Sequence, residues 1–148
     1  MKKKLLNLST LLGLSVLLAG CATKDFVPKQ LNENAKGIST VRTTPYGCKV
    51  LGEIEGKDDI PPSDGVPPIA GGVRLVGNSL SVMRDGAMND LRNNAVDVVG
   101  NSKKRTVLKI VSEVAFCSTG VVCKDQTIDS QYVSSYLVKA EIFECGDK

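Results

Sequence analysis

The sequence predicts an α+β domain: a small sheet of about four strands in the order β-β-α-β-β, one helix packed on a face, and disulfide staples. Three patterns lead there. Apolar and polar residues alternate at period two in stretches on both sides of a single helical stripe. The stripe itself recurs at spacings of four and three. Four cysteines, an even set, remain once the cysteine that closes an N-terminal leader is set aside.

The leader comes first. Met1-Lys2-Lys3-Lys4 is basic, and Leu5 to Ala19 is rich in Leu with small residues between, the charged-then-apolar layout of a secretory signal. The apolar run is short for a membrane span. It closes on Leu18-Ala19-Gly20-Cys21, which resembles the lipobox of bacterial lipoproteins. That resemblance implies cleavage after Gly20, so that residues 1–20 are removed and Cys21 carries lipid. It also implies attachment to a membrane through the acyl chains, several of which together hold stably where one binds only marginally. Ala22 follows the cysteine, where enterobacterial lipoproteins kept at the inner membrane usually carry Asp; resemblance to that sorting rule implies the outer membrane, on either its periplasmic face or the cell surface.

Residues 21–37 are polar, with no sustained period, and read as a lipidated tether ahead of a single domain over 38–148. Within that domain, Ile38 to Thr43 is expected as a short strand. Thr44-Pro45-Tyr46-Gly47 would then turn it into a second strand from Cys48 to Glu55, with Val50 and Ile54 on one face and Lys49, Glu53 and Glu55 on the other, making a hairpin. From Gly56 to Asn78 the chain holds Pro61-Pro62, Pro67-Pro68 and Gly71-Gly72, too many breakers for an ordinary connection. It reads as a surface insertion, with Val73 to Val76 making a brief extended contact.

The helix follows, capped by Asn78, Ser79 or Ser81, with Met83, Ala87, Leu91, Ala95 and Val98 as its apolar stripe and Gly100-Asn101 as its stop. Asp85, Asn89, Arg92 and Asn93 fall on other faces. Thr106 to Phe116 then alternates Leu108, Ile110, Val114 and Phe116 against Lys109, Val111 and Glu113. A loop leads to a last strand, Tyr132 to Cys145, with Tyr136, Val138, Ala140 and Ile142 on one face.

Strand directions choose the disulfides. A strand, crossover helix and strand in one sheet run parallel, so the strand opening at Cys48 and the strand ending at Cys117 point the same way and the last strand runs back. Cys48 and Cys145 then share one end of the sheet, and Cys117 and Cys123 the other. Because bridged Cα atoms lie under about 7 Å apart, the expected pairs are Cys48 with Cys145 and Cys117 with Cys123. A metal site is not expected: the chain has no His, and no C-x-x-C pair occurs.

Charge excludes one class of partner. The formal net charge is +3, and Lys2, Lys3 and Lys4 of the leader account for all of it. The mature domain is neutral, with Lys103-Lys104-Arg105 its one compact basic cluster, which is not the broad basic face of a nucleic-acid binder. Neither a nucleophile–base arrangement nor a phosphate-cradling loop is recognisable, and Asp58-Asp59 and the pair Glu53 and Glu55 read as solvated charge; no enzyme and no cofactor are expected.

The pattern Cys48-x-x-Leu51-Gly52-x-x-x-Gly56, then Met83-Arg84, Ala87-Met88-Asn89-Asp90-Leu91-Arg92-Asn93-Asn94-Ala95, Gly100-Asn101 and Cys145 resembles the YjeI-type family of small bacterial lipoproteins. The likeness runs from about Val41 to Cys145 and is most specific in the helix. That family is similar in fold, distantly, to the RcsF-type lipoproteins that report envelope damage. Two departures stand out: the YjeI-type pattern lacks the Cys117 and Cys123 pair, and RcsF-like domains carry two interlocked bridges. The resemblance implies the fold and the address and transfers no binding residue. The expected function is a lipid-anchored, non-catalytic interaction or sensing module with an envelope protein as partner, or else a passive structural lipoprotein. Asn89, Arg92 and Asn93 on the outward helix face are the candidate interaction residues.

Overall fold

The computed structural model describes residues 26–61, 77–100, 102, 104–117, 122–123 and 133–147. The expectations for Cys21, for the leader, for Val73 to Val76 and for Lys103 lie outside these residues. A 3-10 turn at Glu33–Ala35 precedes β1 (Ser39–Val41), β2 (Lys49–Asp59), α1 (Leu80–Val99), β3 (Lys104–Cys117) and β4 (Val133–Asp147). The fold is α+β, with one helix on a four-stranded mixed sheet and two disulfides.

The sheet order is β1-β3-β4-β2. β4 lies antiparallel to both β2 and β3, so β2 and β3 point the same way, as the crossover requires, but β4 is inserted between them. The expected hairpin does not form. β1 pairs in parallel with β3, Ser39 opposite Val107 and Val41 opposite Lys109, at the far edge of the sheet from β2. The cause is where the chain arrives: the segment before Ile38 crosses the helix to the β3 side, and Thr44 to Gly47 serves as the link between the two edges rather than as a tight turn. Gly47 sits at a φ of 70°, a conformation open to Gly at little cost.

α1 begins where Ser79 Oγ accepts the Val82 amide at 3.2 Å, satisfying one of the otherwise unpaired first-turn donors. It stops at Gly100, φ 55°. Met83, Ala87, Leu91 and Ala95 are fully buried against Leu108, Ile110, Val138, Ala140 and Ile142. Val98 departs from the expected stripe and is exposed, while Val99 packs on the core, because 3.6 residues per turn carry the stripe from Ala95 to the residue four on. The helix lies very close to β2. A Cβ on Gly56 would stand 2.4 Å from both Ala87 O and Leu91 N. Gly56 is thus a strand residue selected for close approach, and β2 continues through Asp59 where the sequence suggested a loop from Gly56.

Two bulges reset the strand faces. In β2 the register slips between Val50 and Gly52, so Val50 pairs with Phe143 and Ile54 with Ala140. These partners sit on opposite faces, and Val50 is exposed while Ile54 packs on the core, contrary to the shared face expected. In β3 the slip between Ile110 and Ser112 puts Glu113 opposite Val138 and Val114 opposite Leu137. One inserted residue inverts every later side chain. Glu113, not Val114, follows Ile110 on the helix face. In β4, Tyr136, Val138, Ala140 and Ile142 are all buried in the helix-side core as expected. The other face holds a smaller cluster of Val107, Phe143 and Cys145 against Val41 and Cys48.

Candidate functional site

Cys48 is bonded to Cys145, with a Cα–Cα distance of 4.2 Å, and Cys117 to Cys123, at 5.3 Å, the two pairs implied by the strand directions. The first ties the start of β2 to the end of β4. The second folds Val122 and Cys123 back beside β3, where the Cys123 amide donates to Ala115 O at 2.9 Å.

The most densely used polar surface is the helix segment Asn89-Asp90-Leu91-Arg92-Asn93-Asn94. Side chains four apart stack on one helix face, and here two such pairs lie side by side. Asp90 and Asn94 face β2: the Lys57 amide donates to Asp90 Oδ2 at 2.8 Å, and Asn94 Nδ2 donates to Glu55 O at 3.0 Å. They satisfy outward-pointing backbone groups of an edge strand, which would otherwise offer pairing to another chain. Asn89 and Asn93 face the segment before β1: Asn89 Nδ2 donates to Lys29 O at 3.0 Å, Asn93 Nδ2 to Gln30 O at 2.8 Å, and Asn93 Oδ1 accepts the Asn32 amide at 2.9 Å. Two of the three candidate interaction residues therefore hold this chain's own backbone. The third, Arg92, is partly buried, and its Nε has no hydrogen-bond partner among the described residues.

What Asn89 and Asn93 grip is a strap. Residues 26–37, which composition reads as tether, lie on the domain. Lys29 Nζ reaches Asp90 Oδ1 at 2.9 Å on the β2 side, and Ala35, on the 3-10 turn, is fully buried before Ile38 enters the core at β1. The strap runs from one edge of the sheet to the other across the helix, on the side away from the sheet. Composition does not announce this contact, because much of the strap's hold is through its main chain, which any composition supplies.

Beneath the strap, Asp58 is 2% exposed. Its Oδ2 accepts the Lys29 amide at 3.2 Å, and Gly86 leaves room for it, since a Cβ there would stand 1.7 Å from the same oxygen. Burial raises the Asp58 pKa, with the Asp90 charge adding to it, and the Lys29 and Asp59 hydrogen bonds only partly offset this. Asp58 is therefore not the solvated charge its neighbourhood in sequence suggests.

A second polar cluster lies where α1 meets β3. Glu113, 11% exposed, accepts from Arg84 Nε at 2.7 Å and from the Tyr136 hydroxyl at 2.7 Å, and also pairs with Arg42. Burial would raise the Glu113 pKa, but the hydrogen bonds from Arg84 and Tyr136 and the two guanidinium charges outweigh it and hold the carboxyl below its ordinary value. Burial and the bond to Glu113 push Tyr136 up to about 12. Every polar atom of this carboxylate is engaged, so the cluster joins helix, β3, β4 and the end of β1 rather than presenting a base or a nucleophile. The bulge at Val111 is the signal that would have found it, and nothing in the sequence marks that bulge.

On the sheet, an open depression of about 420 Å³ is lined by Glu53, Ile54, Glu55, Val111, Lys139 and Ala140, with Lys139 Nζ bonded to Glu55 at 2.6 Å. Among the described residues no three His, Cys, Asp or Glu side chains are grouped to hold a metal ion, and no helix is long and apolar enough to cross a membrane. Comparison with protein-family models, with curated proteins and with solved structures gives no match.

Proposed function

We propose that the chain is a lipid-anchored lipoprotein of the outer membrane whose single domain acts without catalysis, as an interaction or sensing module for another envelope protein. The observation that carries the reading is Leu18-Ala19-Gly20-Cys21 at the end of a basic and then apolar leader. Two disulfides suit a chain exported to an oxidising compartment, where such bonds form and persist. The likeness of the helix segment to YjeI-type lipoproteins points the same way.

A specific observation favours a second reading, a passive structural lipoprotein. Asn89 and Asn93, which would be free on an interaction face, are occupied by the strap. A partner would have to read other surface, such as the exposed Val50, Val98 and Val111. Radiolabelled fatty acid should enter the wild-type protein and not Cys21→Ser, which should leave the membrane fraction; label in the Cys21→Ser protein would overturn the anchor. Photo-crosslinkers at Val98 and Val111 in intact cells separate the two functions. A single recurrent envelope partner supports the module, and none supports the passive protein.

A further inference from the structure

Asn89 and Asn93 fasten the backbone of residues 29–32 ahead of β1, with a consequence for where the domain stands. From Cys21 to Phe26 there are five residue steps, a reach of at most about 18 Å when fully extended; from Cys21 to Ile38 there are seventeen, at most about 60 Å. We propose that residues 26–37 are a releasable strap that sets the distance of the domain from its lipid anchor. Docked across the helix it holds the domain against the bilayer surface, and released it lets the domain stand some threefold further away. The proposal rests on the anchor reading above.

The attachments are of a kind that opens locally. The strap adds no strand to the sheet: the described strands begin at Ser39. Its fastenings are hydrogen bonds from Asn89 and Asn93 on the exposed side of the helix, an ion pair between the half-exposed Lys29 and Asp90, the Lys29 amide on Asp58, and the contacts of Phe26 and Ala35. Lifting it leaves both disulfides, the Met83 to Ala95 stripe and every strand pairing in place. Segments held by few buried contacts and many surface bonds are those that open below the global unfolding free energy. Release also uncovers the helix face carrying Asn89 and Asn93, so the same event changes reach and exposes polar groups for a partner.

The test uses the mature acylated protein in vesicles of phosphatidylethanolamine and phosphatidylglycerol, with a fluorescent amino acid at Val98 and acceptor dye on the lipid headgroups. Asn89→Ala/Asn93→Ala should lower energy transfer to the bilayer by about twofold and speed hydrogen exchange of the Lys29 and Asn32 amides by about tenfold or more, with the β4 amides of Val138 and Ile142 unchanged. Asn94→Ala, which loosens β2 and not the strap, should leave transfer at the wild-type value. Unchanged transfer in the double variant overturns the proposal. So does faster exchange throughout β4, or an equal drop in Asn94→Ala, because either would mean general loosening. The mass of the protein reports the acyl chains separately: a chain without them refutes the anchor and this proposal together, whereas acylated protein with unchanged transfer refutes the strap alone.

Discussion

Gly86→Ala is the sharpest probe of how the helix seats on β2, because intrinsic preference and tertiary packing predict opposite signs for it. In a free helix, Ala in place of Gly is worth about 1 kcal/mol in favour of folding. Here the new Cβ would lie 1.7 Å from Asp58 Oδ2 and 2.7 Å from its Cγ. The carboxylate cannot swing aside freely, being 2% exposed with its oxygen on the Lys29 amide. Overpacking of this kind costs about 1–3 kcal/mol even after the neighbours shift, and the overlap here belongs at the upper end. The net expectation is a loss of about 1–2 kcal/mol, measured by urea denaturation at pH 7. In an Asp58→Ala background the clashing atoms are gone and the nearest remaining one, the residue-58 Cβ, is 3.2 Å away. Gly86→Ala should then be neutral or stabilise by up to about 1 kcal/mol, a coupling near 2 kcal/mol that separates packing from propensity. Gly56→Ala is the control: its obstacles are Ala87 O and Leu91 N, which are backbone, so it should be severely destabilising in both backgrounds. Additive effects of Gly86→Ala and Asp58→Ala would refute the seating of the helix. Asp58→Ala alone carries its own pH signature. A raised folded-state pKa means that the protonated form favours folding and that this contribution is lost as pH rises, so the substitution should be more damaging near pH 3 than at pH 7.

Glu113→Gln should cost about 1–3 kcal/mol at pH 7, discounted from a fully buried pair because Arg84 and Arg42 are 40% and 68% exposed. Since the Glu113 pKa is lowered on folding, its contribution is present above the unfolded value and lost as pH falls, so the stability gap between wild type and Glu113→Gln should close below about pH 4; a gap unchanged at pH 3 would contradict the network. For the disulfides, loop-closure entropy gives upper values of about 4.7 kcal/mol for the bridge spanning 97 positions and about 2.4 kcal/mol for the one spanning 6. Urea melts of Cys48→Ser/Cys145→Ser and Cys117→Ser/Cys123→Ser should rank in that order, and the reverse order would mean that the short bridge clamps β3 by more than chain entropy.

Helix and last strand were legible because their signals are local and uninterrupted: Met83, Ala87, Leu91 and Ala95 at a spacing of four, and Tyr136 to Ile142 at a spacing of two, each bury one face. The directions of β2, β3 and β4 were legible from the crossover rule, and the cysteine pairs with them. The pairing of the first and second strands was not. A three-residue strand such as Ser39 to Val41 carries too little pattern to choose its neighbour, and proximity in sequence favoured a hairpin that the chain's route across the helix forbids. Among the strands, face assignments failed at the bulges near Leu51 and Val111, where one added residue reverses the parity of everything after it.

The polar residues were the harder part, and for one physical reason. Asn89 and Asn93, with Arg92, are the outward helix residues that invite a reading as a surface for another molecule, and Asp90 and Asn94 stand beside them. Apart from the Lys29 ammonium on Asp90, the partners beyond the helix of Asn89, Asp90, Asn93 and Asn94 are main-chain groups of Lys29, Gln30, Asn32, Glu55 and Lys57. Backbone donors and acceptors are the same at every residue, so nothing in the composition of residues 29–32 or 55–57 announces what will bind there. A helix carrying two parallel rows of amide or carboxylate side chains, each row spaced by four, can hold two unpaired backbone segments at once. On this helix one row closes an edge strand and the other fastens the strap, so the segment that best marks the sequence is explained by the needs of the fold before any partner is invoked. A partner that reads Asn89 and Asn93 must first displace the backbone of residues 29–32 from them, so such recognition and the proposed release of the strap would be one event.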